Sequence, residues 1–383
     1  METDIVSKKK FVFEETEQSS GEMSLAQGTV AESSRKLSTF SCLVWLWTLL
    51  VAIVVMVVVG GVTRLTDSGL SIVEWRPITG VLLPLSEADW LLEFKKYQTI
   101  PEFKLVNSEM TISQFKYIYF WEWGHRQLGR AIGLIWLIGF AILVLKKKIP
   151  AGWSARFWSI GLLIFLQGSI GWWMVHSGLR NEMTDVASYR LAIHLGMAFL
   201  ILALIFWFIL LLSKGSESIM LSRRQRDKRL AQVANIFLGL LFIQILLGAL
   251  VAGIDAGNAF NEWPLMAGEF FPSDYFFYDN VFENFLYNPS NVQFNHRFSA
   301  YLLCALALLL FFESRKSQLV NIRTIYGLVL LALTFQVILG VLTVLYGAPI
   351  ILAIIHQLTG VVLWLVTVRF CFETSYPKLK EIR

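Results

Sequence analysis

Eight apolar runs, each long enough to cross a bilayer, constrain this 383-residue chain more than any other feature. A hydrocarbon layer of roughly 30 Å takes about 20 helical residues. Runs of that length fall near 43–64, 122–145, 156–176, 188–213, 233–254, 296–312, 324–346 and 350–372, the sixth, with His296 and Arg297, being the weakest by hydropathy. Inside lipid every backbone N–H and C=O has to be paired within the protein, so such runs fold as helices. Composition agrees: 56% of residues are hydrophobic and 16% charged, where a soluble domain carries about 25% charge. A net charge of +5 gives no basic surface for nucleic acid. Cys42, Cys304 and Cys371 share no C-x-x-C spacing, so neither a disulfide framework nor a zinc site is expected.

Basic residues mark alternate connections. Lys146, Lys147, Lys148 and Arg156 follow span 2; Lys214, Arg223, Arg224, Arg226, Lys228 and Arg229 follow span 4; Arg315, Lys316 and Arg323 follow span 6. The segment from Asp255 to Asn295 holds no Lys or Arg. Because Lys and Arg near span ends resist translocation, both termini are expected on the cytoplasmic or matrix side. The first 40 residues are polar and rich in Glu, which argues against a mitochondrial transit peptide and for a disordered cytoplasmic tail. A bacterial inner membrane is the expected location, with the mitochondrial inner membrane as the alternative. In the first long outer loop, Ser86 to Asp89 has capping-box character and opens an amphipathic stretch suited to lying on the membrane. Thr111 to Gln114 is a second capping box, leading into span 2.

The sequence repeats internally. Gln167-x-x-x-Gly171, Gln244-x-x-x-Gly248 and Gln336-x-x-x-Gly340 fall in spans 3, 5 and 7, and span 1 has Met56-x-x-x-Gly60. Small residues at this spacing admit close helix approach, and the Gln is suited to bond across a bundle. Each even span carries one histidine: His125, His194, His296 and His356. Glu-Trp-Gly-His125-Arg matches Gln-Phe-Asn-His296-Arg, and Ala-Ile-His194-Leu-Gly matches Ile-Ile-His356-Gln-Leu. The expected fold is therefore an all-α integral membrane protein, its eight transmembrane helices forming two repeat-related four-helix bundles in parallel orientation. The expected divisions are a tail over 1–40, a first bundle over 41–213 with its outer loop at 65–115, a basic linker over 214–232, a second bundle over 233–373, and a tail over 374–383.

A single buried His is more often structural than functional, but four at repeat-equivalent positions, all near the outer ends of their spans, argue for ligation. Each half supplies two His and at most one Glu, too few for zinc, whereas haem needs only one or two axial side chains. The many Phe and Trp fit a haem pocket but are better explained by membrane packing and an interfacial aromatic belt. Arg126, Arg130 and Arg297 follow the histidines and Arg64 ends span 1. Guanidinium groups suit haem propionates, the alternative being arginines that snorkel to the interface. Glu122 precedes His125 by three residues, and Gln293 stands at the matching place before His296. A carboxylate there is able to take a proton or stabilise positive charge on a ring edge, and an amide is not. The expectation is a first bundle that does chemistry on its haem and a second whose haem passes electrons; the structural alternative for Glu122 is an interfacial carboxylate bonded to water or to Arg126.

These residues resemble the haem A synthase family. The resemblance rests on Gly60-Gly61-Val62-Thr63-Arg64-Leu65-Thr66, Ser68-Gly69-Leu70-Ser71-Ile72 with Glu74-Trp75, Phe115-Lys116, Trp121-Glu122-Trp123-x-His125-Arg126, Gly129-Arg130 and Phe294-Asn295-His296-Arg297, and covers about residues 40–372. It implies a membrane oxidoreductase that takes the C8 methyl of haem O to the formyl of haem A, for terminal oxidase assembly. The steps implied are methyl to alcohol and alcohol to geminal diol, which loses water. It further implies that His125 and His194 hold the substrate haem, that Glu122 is the essential carboxylate, and that His296 and His356 ligate a haem b. Implied partners are haem O synthase, oxidase assembly factors, a ferredoxin-type electron donor and further copies of the chain. Some bacterial members carry paired outer-loop cysteines. This chain has none and is more similar to the branch shared by proteobacteria and mitochondria. Readings from other classes are a dihaem b-type electron carrier and a haem transporter or chaperone.

Overall fold

The structure, a computed structural model, describes residues 19–179, 183–317 and 320–378, the side chains of 19–36, 216 and 320 excepted. The helices in chain order are α1 (Ser19–Leu65), α2 (Glu87–Tyr97), α3 (Pro101–Leu105), α4 (Ile112–Leu145), α5 (Ser154–Gly178), α6 (Ser188–Lys214), α7 (Ser216–Arg224), α8 (Lys228–Gly253), α9 (Val281–Tyr287), α10 (Pro289–Lys316), α11 (Val320–Leu345) and α12 (Ile350–Ser375). Among the described residues eight of them, α1 (from Leu37), α4, α5, α6, α8, α10, α11 and α12, are long and apolar enough to cross a membrane. The chain is a multi-pass membrane protein.

Span ends differ from the hydropathy reading where capping decides them. Helix α4 begins at Ile112 because Thr111 and Gln114 exchange side-chain and backbone hydrogen bonds. Helix α10 begins at Pro289 behind the Asn288 cap, so His296 lies two turns inside it. The Ser86–Asp89 box likewise opens α2. The segment expected to be disordered to residue 40 is helical from Ser19, and residues 1–18 lie outside the described residues. That stretch contains no Pro, and a helix already nucleated in the span extends into it without a second nucleation cost.

Helices α1, α4, α5 and α6 pack as a closed ring, each against the next and α6 against α1. Helices α8, α10, α11 and α12 form a ring of the same connectivity, and the rings meet along α1 and α6 on one side and α8 and α12 on the other. Trp364 Nε1 donates to Phe199 O at 2.9 Å and Gln357 Nε2 to Val57 O at 2.9 Å across this contact.

Tight apolar packing concentrates in the half of each ring next to the basic loops: Leu46, Leu49, Leu202, Ile205, Phe237, Leu310, Val329 and Phe370 are fully buried there. Side chains such as Val51, Leu134, Phe165, Leu308 and Phe335 point away from both rings, as lipid-facing residues do. The opposite half carries the histidines. Over that end of the first ring, α2 and α3 fold down so that Tyr97, Ile100, Phe115, Ile118 and Tyr119 make a second apolar cluster with Leu70, Ile72 and Val186. Each bundle thus has a tightly packed end and a capped end that carries the histidines.

Candidate functional site

Each of the four histidines packs its ring against the glycine of one repeated element. A Cβ on Gly60 would stand 2.9 Å from His125 Cε1; on Gly171, 2.9 Å from His194; on Gly248, 3.0 Å from His296; on Gly340, 3.0 Å from His356. Those separations are below ordinary carbon contact, so a larger residue at any of these places would press on the imidazole. The glutamine one turn earlier lies on the same ring: Gln167 Nε2 is 3.3 Å from His194 Nδ1, Gln244 Nε2 is 3.1 Å from His296 Nδ1, and Gln336 Nε2 is 3.2 Å from His356 Nε2. The repeated element is a histidine cradle rather than only a helix-packing motif. His125 and His194 lie within electrostatic reach of each other, as do His296 and His356, which pairs the rings by bundle.

Beside His125, Glu122 is 3% exposed and accepts from three donors. Ser71 Oγ and Ile72 N each reach its Oε2 at 2.7 Å, and Arg126 Nη2 reaches Oε1 at 2.6 Å. The Arg126 contact anticipated on a purely structural reading is present, but so are two loop donors 50 and 51 residues away in sequence. At the matching place Gln293 is 2% exposed and pairs with Arg297 Nη2 at 2.8 Å through Oε1, while its amide donates to Ala256 O at 2.7 Å. The post-α1 loop therefore presents donors to a carboxylate, and the post-α8 loop presents a carbonyl to an amide. The backbone around each position matches the side chain it holds.

The other arginines are engaged by loops. Arg126 also donates to Ile72 O (2.9 Å) and Glu74 O (3.1 Å), Arg130 to Arg76 O (2.8 Å) and Pro77 O (2.9 Å), and Arg297 to Phe260 O and Leu265 O, both at 3.0 Å. Arg64 pairs with Asp67 (2.7 Å) and with Asp255 (2.8 Å) of the other half, and approaches Asp185 at 3.6 Å. Buried nitrogens without a partner among the described residues remain on Arg64 (Nε), Arg130 (Nη1) and Arg297 (Nε). A cavity of about 260 Å³ beside Arg126 and Arg130 is lined by Glu74, Arg76 and Glu93, whereas one of about 330 Å³ beside Arg297 is lined by Phe271, Phe294, Phe298 and Tyr301. The first is charged and the second aromatic.

Among the described residues no three His, Cys, Asp or Glu side chains converge as metal ligands. Two imidazoles per bundle suit an iron whose equatorial positions come from a porphyrin. His125 Nδ1 and His356 Nδ1 are buried without a hydrogen-bond partner among the described residues, which leaves ring nitrogens in both bundles uncommitted to protein groups. The residues fit haem.

Residues 43–368 match the model of the COX15-CtaA family, described as cytochrome oxidase assembly protein. The chain belongs to this family. It is 44% identical to the heme A synthase of Roseobacter denitrificans over 99% of this chain and all of that protein. It is 46% identical to the heme A synthase of Dinoroseobacter shibae, covering 99% of each, and 44% identical to that of Paracoccus denitrificans over 97% of this chain and 98% of the relative.

Family membership gives context to residues that sequence reasoning did not single out as partners. Ser71 and Ile72 hold Glu122, and the hydroxyls of Ser299 and Thr359 donate to Oε1 of Gln244 and Gln336. The last two had a visible signal, a Ser or Thr three residues after the histidine in spans 6 and 8 only.

Proposed function

We propose that this chain is a membrane oxidoreductase that converts haem O to haem A, oxidising the C8 methyl to a formyl group in two successive two-electron steps, through an alcohol and a geminal diol. The relatives' names support the activity, and the pairing of Glu122 with a donor-lined loop, against Gln293 with a carbonyl-lined one, carries the assignment of sites. His125 and His194 hold the substrate haem. Glu122, one turn from His125 and fixed by Ser71, Ile72 and Arg126, lies beside where the ring edge must sit and stabilises positive charge there or takes the proton released. Arg64, Arg130 and Arg297, each with one uncommitted nitrogen, are suited to the propionates, while Arg126 chiefly holds the loop after α1 in place.

His296 and His356 hold a haem b, which when bound supplies one-electron chemistry. The contact between the rings through Gln357 and Val57 supports a fixed relation between the two sites. The basic loops at the solid end support an orientation with both termini on the cytoplasmic side of a bacterial inner membrane, where a ferredoxin-type protein is the proposed electron partner.

The test is Glu122→Gln, purified from cells that make haem O. Haem binding is retained and haem A formation falls by at least on the order of 100-fold. Wild-type rates of haem A formation in that variant would sink the assignment.

A further inference from the structure

The connection from α8 into the first turn of α10 is packed inside out for a loop in water. Its amides and hydroxyls are interior. Asn284 and Asn291 are fully buried and Asn288 and Ser290 nearly so, and their bonds run to the connection's own groups. Asn284 Nδ2 donates to Tyr278 O and Asn288 Nδ2 to Asp274 O, both at 2.7 Å, and Ser290 Oγ to Asp274 Oδ2 at 2.6 Å. Two more carboxylates are turned onto its backbone, Glu262 accepting from Gly268 N and Glu269 from Ser273 N. The large apolar side chains point out instead: Phe270 is 76% exposed, Phe277 71% and Phe282 79%, and Phe276 and Val281 are more than half exposed. In water this is costly twice over, because apolar area stays wet while amides give up their hydration. Lipid demands the same arrangement, with polar groups paired within and apolar groups outside.

The exposed rings also continue the surface of a membrane-spanning helix. Phe298 and Tyr301 are about half exposed on α10. Phe298 stacks on Phe294 at 5.9 Å, Phe294 meets Phe271 at 5.1 Å, Phe271 meets Tyr275 at 4.8 Å, and Tyr275 meets Phe276 at 4.7 Å. The cleft of about 330 Å³ lies in this strip, between Met266 and Phe270 of the connection and Phe298 and Tyr301 of the span. The first cap, different in sequence, likewise turns apolar side chains out, Ile78 and Leu85 most of all. A protein that recognised one cap would leave the other unexplained, whereas a bilayer borders both. We propose that the 263–285 segment docks on the bilayer, its aromatic strip lying in lipid beside α10 and the cleft holding an acyl chain of a membrane phospholipid. Docking steadies the same loop whose carbonyls at Phe260 and Leu265 bond Arg297.

Photo-crosslinking of the full chain, with its haems and in vesicles of phosphatidylcholine and phosphatidylglycerol, tests this. The probe is p-benzoylphenylalanine, substituted in turn for Phe270, for Phe276 and, as a reference on the exposed face of α11, for Phe335. Each substitution keeps the phenyl ring and adds bulk only where the side chain is exposed. After irradiation the chain with the probe at Phe270 or at Phe276 should gain the mass of one phospholipid, in a yield comparable to that at Phe335, with the Phe270 adduct on an acyl chain. A covalent dimer, or no lipid adduct at either position while Phe335 gives one, overturns the proposal.

Discussion

The two bundles share one architecture and differ in what caps their histidine-bearing ends. The first is capped by a charged loop, with Glu122 inside a set of donors, a cleft lined by Glu74, Arg76 and Glu93, and Glu102 buried within α3. The second is capped by amides: Asn284 bonds Tyr278, Asn288 bonds Asp274 O and Tyr275 O, Asn291 bonds Tyr275 O, and Gln293 bonds Ala256 O. Amides fix geometry without titrating, whereas carboxylates store charge and protons. On the proposed function, the difference between the caps decides which haem is transformed.

The largest expected effect comes from filling one cradle at a time. Gly171→Ala and Gly248→Ala each push a Cβ to about 3 Å from an imidazole, costing roughly 1–3 kcal/mol if the ring is to stay. The first should abolish haem O retention with haem b intact, and the second the reverse, read by optical spectra of the reduced protein. Loss of both haems from either variant would break the claim that the sites are independent.

Next in size is Gln293→Glu, which puts a carboxylate against Ala256 O. It should destabilise the second cap by roughly 1–3 kcal/mol and confer no oxidation on the second haem, measured by thermal unfolding in detergent and by haem extraction. A gain of oxidised haem b would show that the carboxylate alone, without its donor loop, makes the active bundle. Gly61→Ala is directed at the junction, because its Cβ would overlap the Gln357 carboxamide that bonds Val57 O. Slower electron transfer between bundles, with both haems still bound, is the expected result in stopped-flow reduction.

The smallest effect separates the caps by pH. Burial, with Asp185 and Asp67 nearby, pushes Glu102 from the ordinary 4.5 up to about 8. A carboxyl whose folded pKa is raised binds more protons folded than unfolded, so its contribution falls as pH rises from about 4.5 through 8. Backbone amides of 97–107 should exchange hydrogen faster at pH 9 than at pH 6, after correction for intrinsic rates, and Glu102→Gln should remove the difference. The Asn-held segment 280–291 should show no matching change.

Much of this comparison was legible in the sequence. Eight apolar runs fixed the helices, the Thr111 and Ser86 boxes fixed two helix starts, and histidines on alternate spans revealed the repeat. The Glu122/Gln293 difference was visible as well, because both sit one turn before a histidine. The cradle was not: Gln-x-x-x-Gly reads as a generic packing motif until the ring that it holds, on a different helix, is brought to it. Nor were the arginines' partners legible. Arg126 and Arg297 look like free cations near a histidine, yet their bonds run to loop carbonyls 32 to 54 residues away, and Arg64 reaches Asp255 across 191 residues. Long-range polar pairing carries no periodicity, and hydropathy has nothing to say about it.

The most direct test of unequal bundles is acid extraction and chromatography of haems from His125→Ala/His194→Ala and from His296→Ala/His356→Ala, each made in cells that supply haem O. The first variant should yield haem B alone, at one per chain, and the second haem O without haem B. Haem B in both variants, or two haem B per chain in the wild type, would contradict the account.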